Sequence, residues 1–319
     1  MFRKIALVAA AATITASGAA LAADLPSKKS VPALVADEAS AIHGFMDFGY
    51  ASGRLTGGGM PVYKSGASLF QSDAGVAIDL YKSKSGLINS VSVFAGGWAE
   101  SWSNAPASQP HMQEYDWWAG ASVGFADYYK LTVQSLQFQL PGAGVIENGT
   151  ATLAYDDAHL GLPVALNPSV TVFYNFNGGL SAMPLGKTNT YRVDLAIAPG
   201  YSFQKSTGVP VSVSVPTTLS LAPKNFYYAA GSKDCGATLQ LTCSTSTAEL
   251  FSTGLQAKYD LGQFVPKKFG SWSLKAGVQY YHLMSDAVVA NGVSHLGYSK
   301  FSQGKANFAV FSTGLGVSF

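Results

Sequence analysis

The side chains that could support hydrolysis in this chain are its histidines, two of which lie beside other reactive residue types. Ser294-His295 pairs a hydroxyl with an imidazole, and His159 ends the run Asp156-Asp157-Ala158-His159. Neither segment offers a nucleophile, a base and an orienting group at a spacing that fixes their geometry, a requirement that comes before any proton transfer. We therefore predict no enzyme. The alternative, an enzyme acting on lipid or lipopolysaccharide, would lose activity when His159 or His295 is changed.

Charged residues within alternating segments form the largest candidate site. If the apolar side of each segment faces outward, ten charged side chains point inward, six from the first four segments and four from the opposite arc. They line the lumen either as pairs that plug it or as a hydrated passage that sorts small polar solutes by charge and dipole. The predicted lining residues are Asp47, Asp73, Asp79, Glu100, Glu114, Asp116, Arg192, Asp194, Lys258 and Lys275.

The elements that must position these charges are strands, because period-2 alternation recurs from residue 41 onward and helical periodicity is rare. Near 248–261, for example, Phe251, Leu255 and Tyr259 alternate with Ser252, Gln256 and Lys258. The pattern predicts an all-β, antiparallel barrel of about twelve strands. The strands lie near 41–52, 69–81, 88–101, 113–124, 128–139, 150–160, 168–178, 189–202, 209–221, 248–261, 271–283 and 307–319.

Aromatic residues distinguish a membrane barrel from a soluble sandwich, since amphipathic rings gather where strands meet lipid headgroups. The apolar sides carry aromatic residues at both strand ends and mainly Ala, Val, Leu and Ile between them. This arrangement predicts two aromatic girdles. One comprises Tyr50, Phe70, Tyr115, Trp117, Tyr191 and Tyr280, and the other Phe125, Tyr129, Tyr201, Tyr259, Trp272 and Phe319.

The connections between the predicted strands alternate in length. Those after odd-numbered strands run roughly 11 to 26 residues and those after even-numbered strands roughly 3 to 9, with boundaries uncertain by a few residues. Long external loops and short periplasmic turns are typical of outer-membrane barrels. An even number of strands returns both termini to the periplasm.

Composition supports a protein that is not fully exposed to water. Charged residues make up 12% of the 319 residues, whereas a soluble domain carries about 25%. Residues 1–22 have a signal-peptide pattern: Arg3 and Lys4, an apolar stretch, and Ala20-Leu21-Ala22 before a cleavage site. Without Arg3 and Lys4, 18 basic residues face 18 acidic ones, so the formal net charge of +2 becomes zero and nothing indicates a nucleic-acid partner.

The two cysteines, Cys235 and Cys243, lie close together in a predicted external loop. In an exported chain such a pair favours a disulfide, because the periplasm oxidises thiols. Closing so small a loop contributes about 2–3 kcal/mol in the chain-entropy model. Lys233-Asp234-Cys235 supplies too few ligands for a metal, and we expect no metal and no cofactor.

The C-terminal segment Thr313-Gly314-Leu315-Gly316-Val317-Ser318-Phe319 resembles the last strand of Gram-negative outer-membrane β-barrel proteins. That resemblance implies that the strand ending in Phe319 is read by the barrel-assembly machinery. The start Ala23-Asp24-Leu25-Pro26 is similar to that of many alphaproteobacterial outer-membrane proteins. Tyr115-Asp116, Ala119-Gly120 and Leu140-Pro141-Gly142 show a fainter likeness to small porins.

Together these features predict a signal peptide at 1–22, a periplasmic lead-in at 23–40 and an outer-membrane barrel at 41–319. About twelve strands fall between the filled eight-stranded barrel and the open channel of sixteen or more. Small inward residues such as Ser92, Gly96, Gly120 and Gly254 favour a narrow pore for passive or weakly selective diffusion of small hydrophilic solutes. The other alternative is an occluded structural or surface-recognition barrel, with the Cys235–Cys243 loop as its binding element.

Overall fold

The strands of the chain close into one antiparallel barrel. The computed structural model describes residues 42–55, 61–62, 68–102, 112–140, 144–162, 164–177, 189–223, 247–284 and 306–319. Its twelve barrel strands are β1 (Ile42–Ala51), β2 (Leu69–Lys82), β3 (Ile88–Trp102), β4 (Met112–Phe125), β5 (Tyr129–Leu140), β6 (Gly144–Tyr155), β7 (Ser169–Asn177), β8 (Thr190–Ile197 and Gly200–Ser202), β9 (Val211–Ser214 and Thr217–Leu221), β10 (Ala248–Asp260), β11 (Ser271–Leu283) and β12 (Asn307–Ser318).

Each strand pairs with the next along the chain, and β12 pairs with β1 to complete the barrel. β8 is interrupted before Gly200 by Pro199, and β9 before Thr217 by Pro216, because proline has no backbone N–H to give to the ladder. Both proline carbonyls still accept: Val215 N–H donates to Pro199 O at 2.8 Å, and Gly254 N–H donates to Pro216 O at 3.0 Å. The two interruptions therefore bend the wall without opening it.

Short elements occupy some connections. Helix α1 spans Gln204–Thr207, single 3₁₀ turns span Ala158–Leu160 and Lys267–Phe269, and a two-residue pairing joins Arg54–Leu55 to Pro61–Val62. Among the described residues, no helix has the length and hydrophobicity to cross a membrane.

The predicted twelve-stranded antiparallel barrel is confirmed, but the sixth strand was misplaced. β6 spans Gly144–Tyr155 rather than 150–160. Its first half, from Gly144 to Gly149, carries little apolar alternation, yet it pairs in register with β5 up to Leu140–Gly144. The chain leaves the sheet after Tyr155 because both Asp157 carboxylate oxygens accept backbone hydrogen bonds, from Leu166 and Asn167 at 2.9 Å each.

This shift breaks the predicted alternation of connection lengths. The loop after β5 is only 141–143, and the turn after β6 is the longer segment 156–168. The remaining long connections, after β1, β7, β9 and β11, still share one end of the barrel with 141–143. We call this the loop end, which faces the cell exterior in outer-membrane barrels, and the opposite end, where β1 begins and β12 finishes, the turn end.

The outer surface of the barrel is apolar. Leu195 is 41% exposed and Leu255 52%, and Val278 is half-buried, so these side chains face outward rather than packing in a dry interior. An apolar belt around a closed barrel is the surface that hydrocarbon requires, because every backbone group inside the belt is paired between strands. The chain is an outer-membrane β-barrel.

The predicted girdle residues lie on this outer surface, and their placement at the headgroups stays a prediction. Tyr50, Phe70, Trp117, Tyr129, Tyr191, Tyr201, Tyr280 and Phe319 are exposed, and Tyr115, Phe125, Tyr259 and Trp272 are half-buried. The predicted signal peptide, the lead-in 23–40, Cys235, Cys243, Ser294-His295 and the alphaproteobacterial start lie outside the described residues.

Candidate functional site

The interior of the barrel is the candidate site, because strand register turns the polar side of each strand inward. In β1, Asp47 lies between the outward residues Met46 and Phe48 and is paired with Asp73 of β2. The same alternation turns all ten predicted lining residues toward the interior. Their division into two populations, by depth along the barrel, was not predicted.

The first population fills the loop half of the barrel, and we call it the closed layer. Each of the twelve strands contributes at least one inward side chain that is at most 7% exposed. Every strand therefore has at least one inward side chain that is shielded from water in this half of the barrel. One representative from each strand is Ala51, Leu69, Glu100, Asp116, Leu136, Thr150, Phe173, Arg192, Ser220, Leu250, Leu283 and Val310.

A buried ion pair lies at the centre of the closed layer on β8. Arg192 Nε donates to Asp194 Oδ1 at 2.9 Å and Arg192 Nη2 to Asp194 Oδ2 at 2.8 Å, with both side chains at most 2% exposed. The guanidinium also lies 5.1 Å from the ring centroid of Phe173 on β7. A bidentate geometry with an aromatic face beside it is how arginine is accommodated out of water.

Further acidic members of the closed layer come from β3, β4 and β10. Glu100 and Glu114 are register partners, and Gln71 Nε2 donates to Glu100 Oε2 at 3.2 Å. Glu249 of β10 is also fully buried, and the sequence interpretation missed it. Its position beside the irregular pairing of Ser220 and Leu221 explains the omission, because a bulge shifts the inward alternation by one residue.

The second population lines the turn half, which we call the vestibule. Its predicted members Asp47, Asp73, Asp79, Lys258 and Lys275 are all half-buried, so water still reaches them. Serine and threonine complete much of this wall, including the facing pairs Ser92–Ser122 and Thr152–Thr171, whose hydroxyl oxygens are 2.8 and 2.9 Å apart.

Opposite charges of the vestibule lie close enough to pair. Lys275 Nζ donates to Asp47 Oδ1 at 2.6 Å, because β11 is only one strand away from β1 in the closed barrel and Gly316 of β12 leaves the path between them clear. Asp79 is likewise paired, with His43 and Lys82 at 2.6 Å each. Lys130 of β5, which sequence reasoning missed, adds a cation at the turn end of the lumen side.

The expectation that inward glycines leave open space is wrong at two positions of the predicted set. A Cβ at Gly96 would lie 2.5 Å from Trp118 Cη2, and one at Gly120 would lie 2.7 Å from Phe94 Cζ. The Trp118 ring occupies the hollow at Gly96, whereas at Gly120 the Val133 carbonyl oxygen and Gln134 Cα of β5 lie even closer than Phe94. These glycines make room for neighbouring atoms of the protein rather than for a solute.

His159, the one candidate hydrolytic histidine within the described residues, is held by neighbouring groups of its own turn, of the end of β6 and of the turn before β5. Because the Asp156 carbonyl can only accept, His159 Nδ1 donates to it at 2.8 Å, and His159 Nε2 accepts from the Tyr155 hydroxyl at 3.2 Å. The imidazole also stacks on Tyr128 with 3.6 Å between ring centroids. Asp157 is buried in the turn that it caps.

Comparison with known proteins adds similar solved barrels. No protein-family model matches the sequence, and a comparison with curated proteins finds no relative. A NanC porin structure is 12% identical and covers 86% of this chain and 98% of its own, with a TM-score of 0.42.

Two autotransporter barrels are similar to the same degree. The translocator domain of NalP from Neisseria meningitidis is 10% identical, covers 89% of each chain and has a TM-score of 0.40. The transport unit of AIDA-I from Escherichia coli is 11% identical, covers 91% of this chain and 93% of its own, and has a TM-score of 0.39. Because these similarities are weak, the assignment of this chain to the outer membrane rests on its own apolar outer surface and polar interior.

Proposed function

We propose that this barrel is a narrow, porin-like channel for small hydrophilic solutes. The observation that carries the proposal is the vestibule, a polar inner wall at the turn end whose charged residues Asp47, Asp73, Asp79, Lys258 and Lys275 are half-buried. Such a wall stabilises a column of water, and its fixed charges bias which solutes enter.

The closed layer sets the conditions under which solutes pass. Because its side chains fill the loop half, transport requires that some of them move, and we expect small and infrequent conductance steps rather than a wide constant current. The same layer favours a second candidate, an occluded barrel with a structural or surface-recognition role.

Single-channel conductance in planar bilayers separates the two candidates. The refolded protein should give small steps, and Phe173→Ala should enlarge them, because it removes a ring from the closed layer. Val172→Ala, which shortens the adjacent outward side chain, is the matched control and should leave the steps unchanged. A folded barrel that stays silent in both forms would establish the occluded barrel instead.

Ion selectivity tests the predicted lining residues. Changing Asp73, Glu100, Glu114 and Asp116 together to Asn or Gln should reduce cation preference, measured as the reversal potential in a salt gradient. Unchanged selectivity would show that these carboxylates do not line the path. Asp47→Asn should have a smaller effect, since Lys275 already neutralises that carboxylate.

We also propose that the barrel-assembly machinery recognises the C-terminal strand through Phe319. Support comes from the seam between β12 and β1, where Phe319 and Gly44 exchange two backbone hydrogen bonds of 2.9 Å. Phe319 is 67% exposed on the outer surface, so its ring is accessible from the membrane side.

A further inference from the structure

One inward row of the barrel is aromatic across four neighbouring strands. Phe45, Gly75, Gly96 and Trp118 are successive register partners on β1, β2, β3 and β4. A Cβ at Gly75 would lie 2.8 Å from both Trp118 Cζ2 and Phe45 Cε1. The indole therefore extends over both glycines and reaches the phenyl ring of Phe45, with centroids 6.0 Å apart and planes at 8°.

The aromatic surface widens on the next row. Phe94 contacts Trp118 with a centroid distance of 5.8 Å and an interplanar angle of 56°. All three aromatic residues are half-buried, so part of this surface is open to the vestibule. We call Phe45, Phe94 and Trp118 the aromatic wall.

Two carboxylates border the aromatic wall on the row toward the loop end. Asp47 and Asp73 are register partners on β1 and β2, two residues beyond Phe45 and Gly75. The Trp118 side chain hydrogen-bonds to Asp73, whose Oδ1 has no hydrogen-bond partner among the described residues. Lys275 forms an ion pair with Asp47 at 2.6 Å, so the nearest ammonium is already engaged by one of the two carboxylates.

Partly accessible aromatic surface beside a carboxylate with an unpartnered oxygen is the chemistry that binds organic cations. The quadrupole of an indole or phenyl ring attracts a cation, and quaternary ammonium groups exploit this most because they are weakly hydrated. A neutral solute of the same shape would gain only the apolar contact, and an anion would be repelled. We propose that the aromatic wall together with Asp73 is a binding subsite for small quaternary or methylated ammonium compounds. This proposal rests on the proposed function, since the channel is the route by which these compounds enter.

Binding in detergent micelles tests the subsite without requiring any current. Isothermal titration should detect choline, whereas its uncharged carbon analogue 3,3-dimethyl-1-butanol should bind at least about tenfold more weakly, since the cation–aromatic and carboxylate attractions are lost. Asp73→Asn and Trp118→Leu should each weaken choline binding at least about fivefold. Equal binding of choline and its neutral analogue would overturn the proposal.

Two further variants sharpen the test. Trp117→Leu removes the neighbouring indole, which faces lipid at 58% exposure, and should leave choline binding unchanged. Lys275→Gln should strengthen binding, because it frees Asp47 and removes a competing ammonium. If Trp118→Leu does not fold, Asp73→Asn and Lys275→Gln still decide, and no effect from either would overturn the subsite.

Conductance distinguishes this proposal from the channel itself. Choline binding by a barrel that never conducts would contradict the channel and leave a cation-binding vestibule. Conductance that choline and its neutral analogue affect equally would contradict the subsite and leave the channel.

Discussion

At the scale of single residues, the barrel keeps the charges of Arg192 and Asp194 out of water by pairing them directly with each other. Arg192 and Asp194 are two positions apart on one strand, so both point inward and meet without crossing the lumen. Alternation predicted that both face the interior. Their burial could not be predicted, because it depends on Phe173 and on side chains from distant strands.

We predict that Arg192→Met destabilises the barrel by about 3–5 kcal/mol, because Asp194 is left charged in a site that excludes water. The midpoint of urea unfolding in micelles, followed by tryptophan fluorescence, measures the effect. Arg192→Met with Asp194→Leu should recover most of the loss. Lys82→Met removes a 56%-exposed partner of Asp79 and should cost less than about 1 kcal/mol; equal costs for the two single variants would contradict the argument.

Glycine shows where residue-level reading fails. Gly96 and Gly120 suggested open space because a missing side chain leaves a hollow, and alternation correctly placed that hollow inside. Which neighbour fills it depends on register across strands that are far apart in sequence, as with Gly75 and Trp118. The spacing of residues in the sequence does not give the register between paired strands, so the filling of these hollows could not be predicted.

At the scale of elements, alternation located the strands well wherever one face was strongly apolar. It failed for β6, whose first half, Gly144 to Gly149, lacks a sustained apolar alternation and yet pairs in register with β5. The following turn is defined by one side chain, Asp157, which satisfies two backbone N–H groups of a segment nine residues further on.

We predict that Asp157→Ala costs about 1–3 kcal/mol, because two backbone donors lose their acceptors in a part-buried turn. Hydrogen exchange at the amides of Leu166 and Asn167 should accelerate more than at the amides of β7. Asp156→Ala is the matched neighbour, since its carboxylate accepts one exposed bond from Ala158. Equal acceleration in both variants would show that Asp157 does not hold the turn.

At the scale of the whole molecule, closure depends on the meeting of the first and last strands. A Cβ at Gly44 would lie 2.5 Å from Phe319 Cε2, so the terminal ring rests in the hollow of this glycine on the outer surface. The sequence correctly indicated a closing last strand. Gly44, which contacts the Phe319 ring, lies in the first strand, and no sequence pattern indicated its role.

We predict that Phe319→Ala lowers the amount of folded barrel in the outer membrane of cells several-fold, yet leaves refolding of purified protein into micelles unchanged, because the machinery is absent there. Heat-modifiable mobility on gels measures both. Phe311→Ala, an exposed phenylalanine on the same strand, should behave like the wild type in cells. Slow refolding of Phe319→Ala without the machinery would assign Phe319 to packing of the seam instead of recognition.

The prolines that interrupt β8 and β9 give the barrel an uneven stiffness. Pro199 and Pro216 lie on adjacent strands, and each removes one donor from the ladder that resists bending. When lateral pressure in the bilayer deforms the barrel, its wall should yield first along this line, while the wall formed by β1 to β6 keeps its curvature.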